Sequence, residues 1–153
     1  MAGNLHRAAT RGSGERGEDV TLNAKLIANI PLRLNIAADC HVRGEVVMPL
    51  AVFEEKYRTV SPNPRNLCSG ALRQKHGDGK ADAADLVFCA YDVKFVNERP
   101  TATNDSELLS WLQKAGIEPA PWTVFKSDTP HLEMIEHTNC LLYTSPSPRD
   151  GLL

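Results

Sequence analysis

No single periodicity persists for long in this chain of 153 residues. Ten glycines and ten prolines are spread through it, and their clusters repeatedly end one short element before an unlike one begins. Residues 5–11 read as a strand, and 12–17 as a glycine-rich loop. The spacing of Leu22, Leu26, Ile27 and Ile30 predicts a helix over 19–29. Residues 40–48, with Val42, Val46 and Val47, read as a strand, and Pro49 opens a short helix to Tyr57. Asn63-Pro64 opens a helix that runs to Gln74, because Asn caps a first turn and proline fits its first position. His76-Gly77-Asp78-Gly79 marks a turn, and 86–95 is a strand rich in β-formers. An amphipathic helix over 106–115 stops at Gly116, 123–125 reads as a short strand, and Thr129-Pro130 opens a last helix to about His137. With no internal repeat and no regular βαβαβ alternation, the expected fold class is α+β, with mostly antiparallel strands and short helices.

Composition excludes several function classes. Apolar residues make up 42% and charged residues 24%, as in an ordinary globular domain with a modest core. No apolar run approaches the ~20 residues of a membrane helix, and no signal-peptide pattern opens the chain. A net charge of −2 does not announce a nucleic-acid binder. Residues 43–75 nevertheless carry six basic residues against three acidic ones, a local +3. For so small a window a solvated charged face is the simpler reading. The four cysteines, Cys40, Cys68, Cys89 and Cys140, form no C-x-x-C pair. They read as reduced, mostly buried thiols rather than as a zinc or redox site.

Two motifs mislead. Gly12-Ser13-Gly14-Glu15-Arg16-Gly17 matches G-x-G-x-x-G, with Asp39 lying 22 residues beyond Gly17. That is the outline of a dinucleotide-binding oxidoreductase. A pyrophosphate needs an unblocked, positive helix N-terminus. Glu18 and Asp19 stand at that terminus, would repel the phosphates, and would satisfy the helix dipole themselves. Lys75-His76-Gly77-Asp78-Gly79 hints at the nucleophile motif K-x-D-G, but its spacing is one residue too long.

The helix over 63–74 raises a sharper question. Its middle, Cys68-Ser69-Gly70-Ala71, is small, and a helix interior disfavours Gly70. Arg65 and Arg73 sit at its two ends. Residues eight apart on a helix are separated by ~12 Å along the axis and ~80° in rotation. Both guanidinium groups can therefore face one ligand, with small residues leaving room for its approach. The alternative is that Gly70 and Ala71 are small because another helix packs there, with the arginines in ion pairs.

Four stretches stand in order: "TRGSGERGEDVTLN" (10–23), "VRGEVVMP" (42–49), "NPRNLCSGALRQ" (63–74) and "FCAYDV" (88–93). Together they resemble the adenylation, or nucleotidyltransferase, domain of bacterial NAD-dependent DNA ligases. The resemblance is close over residues 5–95 and looser from Leu108 to His137. It implies a partial nucleotidyltransferase domain from a cytoplasmic, monomeric enzyme that seals nicks in duplex DNA through an enzyme–AMP intermediate. NAD supplies the adenylyl group, and Mg2+ helps to neutralise the phosphates. The resemblance assigns Glu45 to the adenosine, where a carboxylate can accept hydrogen bonds from ribose hydroxyls. By the residues alone, Glu45 is a partly exposed strand glutamate paired with Arg43. The resemblance assigns Arg65 and Arg73 to DNA phosphates, which suit the two-pronged arginine fork.

The sequence departs from the family pattern at Ser13, at Glu15-Arg16, at His41 and in "NLCSGAL". No lysine of the chain stands in K-x-D-G. The expectation is a fragment that lacks the nucleophilic lysine and is inactive alone. Residues 140–153 open with "CLLYTSPSPRD". They would ordinarily read as a proline-rich flexible tail, but they resemble translated sequencing-adapter DNA, so 140–153 is expected to be a disordered adapter tail and residues 1–139 the ligase part. Two other classes remain open at this point: a stand-alone nucleic-acid-binding module, and the dinucleotide-binding oxidoreductase.

Overall fold

A computed structural model of the chain describes residues 2–12, 16–96 and 104–134. Its centre is an antiparallel pair, β1 (Cys40–Val47) and β2 (Val87–Phe95), with Cys40 opposite Phe95 and Val47 opposite Val87. β1 alternates between half-buried and exposed residues, as a strand with one covered face should. The register slips between Arg43 and Gly44. A Cβ on Gly44 would lie 2.5 Å from both the Cys89 carbonyl oxygen and the Phe88 ring. Only glycine lets the two strands close at that point.

Helices lie around this pair: α1 (Thr21–Ala24), α2 (Leu50–Val52) running into a π-helical turn (Phe53–Tyr57), α3 (Pro64–Arg73) and α4 (Asp105–Ala115). The architecture is α+β, as the element pattern predicts. One core group gathers Ile27, Met48, Phe53, Leu67, Cys68, Ala71, Ala81 and Leu86 beneath α3. A second gathers Ala90, Val93, Leu112 and Ile117 beneath α4, where Phe95 and Trp111 meet edge to face at 4.8 Å. Phe88 packs against both groups and joins them. α4 is capped by Asn104, whose side chain accepts from Glu107 N at 3.0 Å, and ends at Gly116 with φ of 88°.

Four sequence expectations change. Residues 5–11 do not form a strand: Asn4, just before them, bridges to Arg33 and Ala9 to Asp19, so the two parts bond to different partners. The helix over 19–29 is one turn, after which bonds such as Leu26 N to Asn23 O and Ile27 N to Ala24 O take over. Of the predicted apolar face, Ile27 is buried and Ile30 packs against the core, whereas Leu22 and Leu26 are exposed and Ala24 turns inward with Ile27. Residues 123–125 are irregular; beside β2 it is 118–120 that pairs, with Ala120 N bonding to Ala90 O at 2.6 Å. Of the cysteines, Cys68 is buried, Cys40 and Cys89 are half-buried, and Cys140 lies outside the described residues, as does the whole 140–153 stretch. The last helix is seen from His131 to Met134, and its expected end at His137 also lies outside.

One element of the sheet is a side chain. Asn29 Nδ2 donates to Phe88 O at 2.7 Å and its Oδ1 accepts from Phe88 N at 2.9 Å. The amide thus pairs with β2 as another strand's backbone would.

Candidate functional site

α3 begins where the sequence places it. Asn63 Oδ1 accepts from Arg65 N at 2.9 Å and Asn66 N at 3.3 Å, and Pro64 occupies the first position. Leu67, Cys68 and Ala71 point into the core, while Arg65, Asn66, Ser69, Gly70 and Arg73 are exposed. The two small residues therefore differ. Ala71 is 1% exposed, so packing requires its size. A Cβ on Gly70 would meet nothing within 4 Å, so no helix among the described residues explains Gly70.

The local basic excess is largely neutralised. Arg43 pairs with Asp92 at 3.7 Å, Lys56 with Asp85 at 2.7 Å, Arg58 with Glu54, and Arg73 with Glu18 at 3.0 Å. Arg65 has no ion pair among the described residues. The Lys56–Asp85 pair belongs to a small network in which the Tyr57 hydroxyl donates to Asp85 and accepts from Asp82 N at 3.1 Å. Hydrogen bonds from Lys56 and Tyr57 hold the Asp85 carboxyl below its ordinary range. Sequence reading missed this network, because 28 residues separate Tyr57 from Asp85.

Glu45 is exposed on β1, opposite Cys89 in register. Its expected alternative partner Arg43 faces Asp92 across the sheet instead, and Glu45 has no ion pair among the described residues. The neighbouring carbonyl, Val46 O, accepts from the Cys68 thiol at 3.3 Å, which ties α3 to β1. Burial, and then the negative charge of Glu45, push that thiol up to about 11. Glu45 and α3 therefore share one end of β1.

The glycine loop closes on the same helix. Thr10 N donates to Glu18 O at 2.9 Å, and Glu18 N donates back to Thr10 Oγ1 at 3.0 Å. Asp19 Oδ1 accepts from Thr21 N at 3.0 Å and Thr21 Oγ1 at 2.6 Å, which lowers its carboxyl below the usual range. Asp19 thus serves the first turn of α1 as expected. Glu18 does not: it turns to Arg73. A two-stranded antiparallel sheet and a single helical turn after the loop are not a dinucleotide fold, which needs a parallel βαβ unit. Ser13, Gly14 and Glu15 lie outside the described residues.

Among the described residues no three His, Cys, Asp or Glu side chains converge on a metal position. These residues do not by themselves build a site for Mg2+. No described helix is long and apolar enough to cross a membrane.

The four stretches that stand apart in sequence thus meet in space. Loop joins α3 through Glu18 and Arg73, α3 joins β1 through Cys68 and Val46, and β1 pairs with β2. Residues 1–140 match the family model described as the NAD-dependent DNA ligase adenylation domain, and the chain belongs to that family. The DNA ligase of Synechococcus sp. (strain WH7803) is 41% identical over 146 residues, covering 86% of this chain and 20% of that ligase. The DNA ligase of Magnetococcus marinus is 39% identical over 153 residues, covering 93% of this chain and 19% of the ligase. That of Leptospira interrogans (serovar copenhageni) is 36% identical over 155 residues, covering 99% and 22%. The chain therefore spans about a fifth of the length of these relatives.

Proposed function

We propose that this chain is the part of a cytoplasmic, monomeric NAD-dependent DNA ligase that receives the adenosine of NAD on Glu45 and DNA phosphates on Arg65 and Arg73. The whole enzyme would take AMP from NAD onto a lysine, pass it to the 5′-phosphate at a nick, and seal the strand as AMP leaves. The nucleophile is not assigned to any lysine of this chain, since none stands in K-x-D-G. Mg2+ would be held mainly by the phosphates and by residues other than those described, and no step is routed through it.

The observation that carries this reading is the open outer face of α3. Gly70 is small where nothing packs on it, and Arg65 is exposed with no ion pair among the described residues. A guanidinium with no ion pair among the described residues suits a phosphate backbone, which brings its own negative charge, and the bare helix surface at Gly70 leaves room for close approach. Glu45, exposed on β1 and with no ion pair among the described residues, can accept two ribose hydroxyls.

The test separates the two roles in a full-length ligase bearing these residues. Glu45→Ala should slow formation of the enzyme–AMP adduct more than it slows sealing of a pre-adenylated nick. Arg65→Ala should do the reverse. Equal loss in both steps from either variant would remove the assignment.

A further inference from the structure

The last turn of α3 is closed by its own backbone and by two side chains. Gln74 N donates to Gly70 O at 3.0 Å, and Gln74 Nε2 donates to Ala71 O at 3.0 Å. The next two accepting carbonyls go to one residue of α1: Asn23 Nδ2 donates to Leu72 O at 2.8 Å and to Gln74 O at 2.6 Å. These carbonyls flank Arg73 on either side. Helix ends leave carbonyls without intrahelical partners, and any donor in reach would satisfy them. Asn23 fits between them because its amide presents two hydrogens in one plane.

Arg73 is held a second time through its side chain. Its closest approach to Glu18 is through Nε, at 3.0 Å, not through the terminal nitrogens that fork across a phosphate. Glu18 is itself fixed, since its N–H and carbonyl both bond to Thr10. Arg65, at the other end of α3, has its N–H held by Asn63 Oδ1 at 2.9 Å, but its side chain has no ion pair among the described residues.

We propose that Asn23 and Glu18 are positioning residues that set the backbone and the guanidinium plane of Arg73 before DNA arrives. The proposal rests on the assignment of Arg73 to a DNA phosphate. Its physical content is preorganisation: a long side chain already held in place loses less freedom on binding. It also makes a prediction against simple electrostatics. Deleting a carboxylate beside DNA should by itself tighten binding, because one repulsion is lost. If Glu18 instead competes with phosphate for Arg73, its removal should tighten binding further.

The experiment is titration of a fluorescent nicked duplex with a full-length ligase bearing these residues, at two salt concentrations. Glu18→Gln should weaken binding about two- to fivefold, and Glu18→Ala more, the scale of an exposed pair. Asn23→Ala should weaken it about tenfold, as two hydrogen bonds are lost. Both effects should vanish when Arg73→Ala is already present and persist when Arg65→Ala is present. Tighter binding by Glu18→Gln, or an undiminished loss in the Arg73→Ala background, would overturn the proposal. Glu18 is exposed, so Glu18→Gln decides the matter even if Asn23→Ala does not fold. A distinct failure, Arg73→Ala binding the nick as tightly as the parent, would overturn the phosphate role of Arg73 and the positioning proposal with it.

Discussion

The Cys68 thiol donates to Val46 O at 3.3 Å, and through that bond the helix bearing Arg65 and Arg73 is fastened to the strand bearing Glu45. The residues proposed for adenosine and for phosphate are therefore carried by two elements that are directly bonded to each other. Cys68→Ala should cost about 1–2 kcal/mol, from a lost buried volume and a weak hydrogen bond, read as a lowered midpoint of urea unfolding. Because burial and Glu45 push the thiol up to about 11, Cys68 should also resist alkylation at pH 8 until the chain is unfolded.

Gly70→Ala separates helix stability from ligand approach. With nothing within 4 Å of the added Cβ, the substitution should stabilise α3 by up to about 1 kcal/mol. If a phosphate backbone passes over Gly70, the same variant should bind nicked DNA more weakly. A rise in thermal midpoint together with a loss of affinity is the expected pair of results, measured by calorimetry and by titration.

Gly44→Ala should behave oppositely to Gly70→Ala. A Cβ there would lie 2.5 Å from the Cys89 carbonyl oxygen and from the Phe88 ring. The strands would have to part, at a cost of about 2–3 kcal/mol on the scale of overpacked cores. Chemical unfolding should show the loss, and amide exchange should quicken first at the β1–β2 pairing.

For Arg65 the charge and the fork make different contributions. Arg65→Ala should lower the log–log salt slope of nick binding by about one for each phosphate that the guanidinium no longer neutralises. Arg65→Lys should restore the slope but only part of the affinity, because an ammonium cannot bond two oxygens in one plane. An unchanged slope with a lowered melting temperature would make Arg65 a structural residue.

Asp85 gives a stability signature in pH. Hydrogen bonds from Lys56 and Tyr57 depress its carboxyl in the folded chain. Its stabilising effect is therefore fully present above the ordinary value of 3.8. It fades as pH falls through the lower folded value. Asp85→Asn should be less stable than the parent at pH 7 by about 1–2 kcal/mol. The difference should narrow below pH ~4, as followed by urea unfolding across that range.

Local signals and their physical causes coincide in α3 and α4. Asn63-Pro64 caps one helix and Asn104 the other, while Gly116 ends the second with a positive φ. Each of those features is settled within a few residues, by a side chain reaching its own backbone, so the amino-acid order carries it. The two β-rich runs and the α+β class were legible for the same reason. Legible too were Glu45, Arg65 and Arg73 as residues to watch, through the ordered family motifs. Tertiary structure alone decided that Ala71 is enclosed while nothing packs over Gly70, because which elements reach α3 depends on long-range packing. It also shortened the helix after the glycine loop and exposed Leu22 and Leu26, since a four-residue turn is too short for its own periodicity to dominate. Finally, it gave Glu18 to Arg73 and Asn23 to the end of α3. Those pairings join residues about fifty positions apart, and long-range pairings of that kind exist only once the core beneath them has closed.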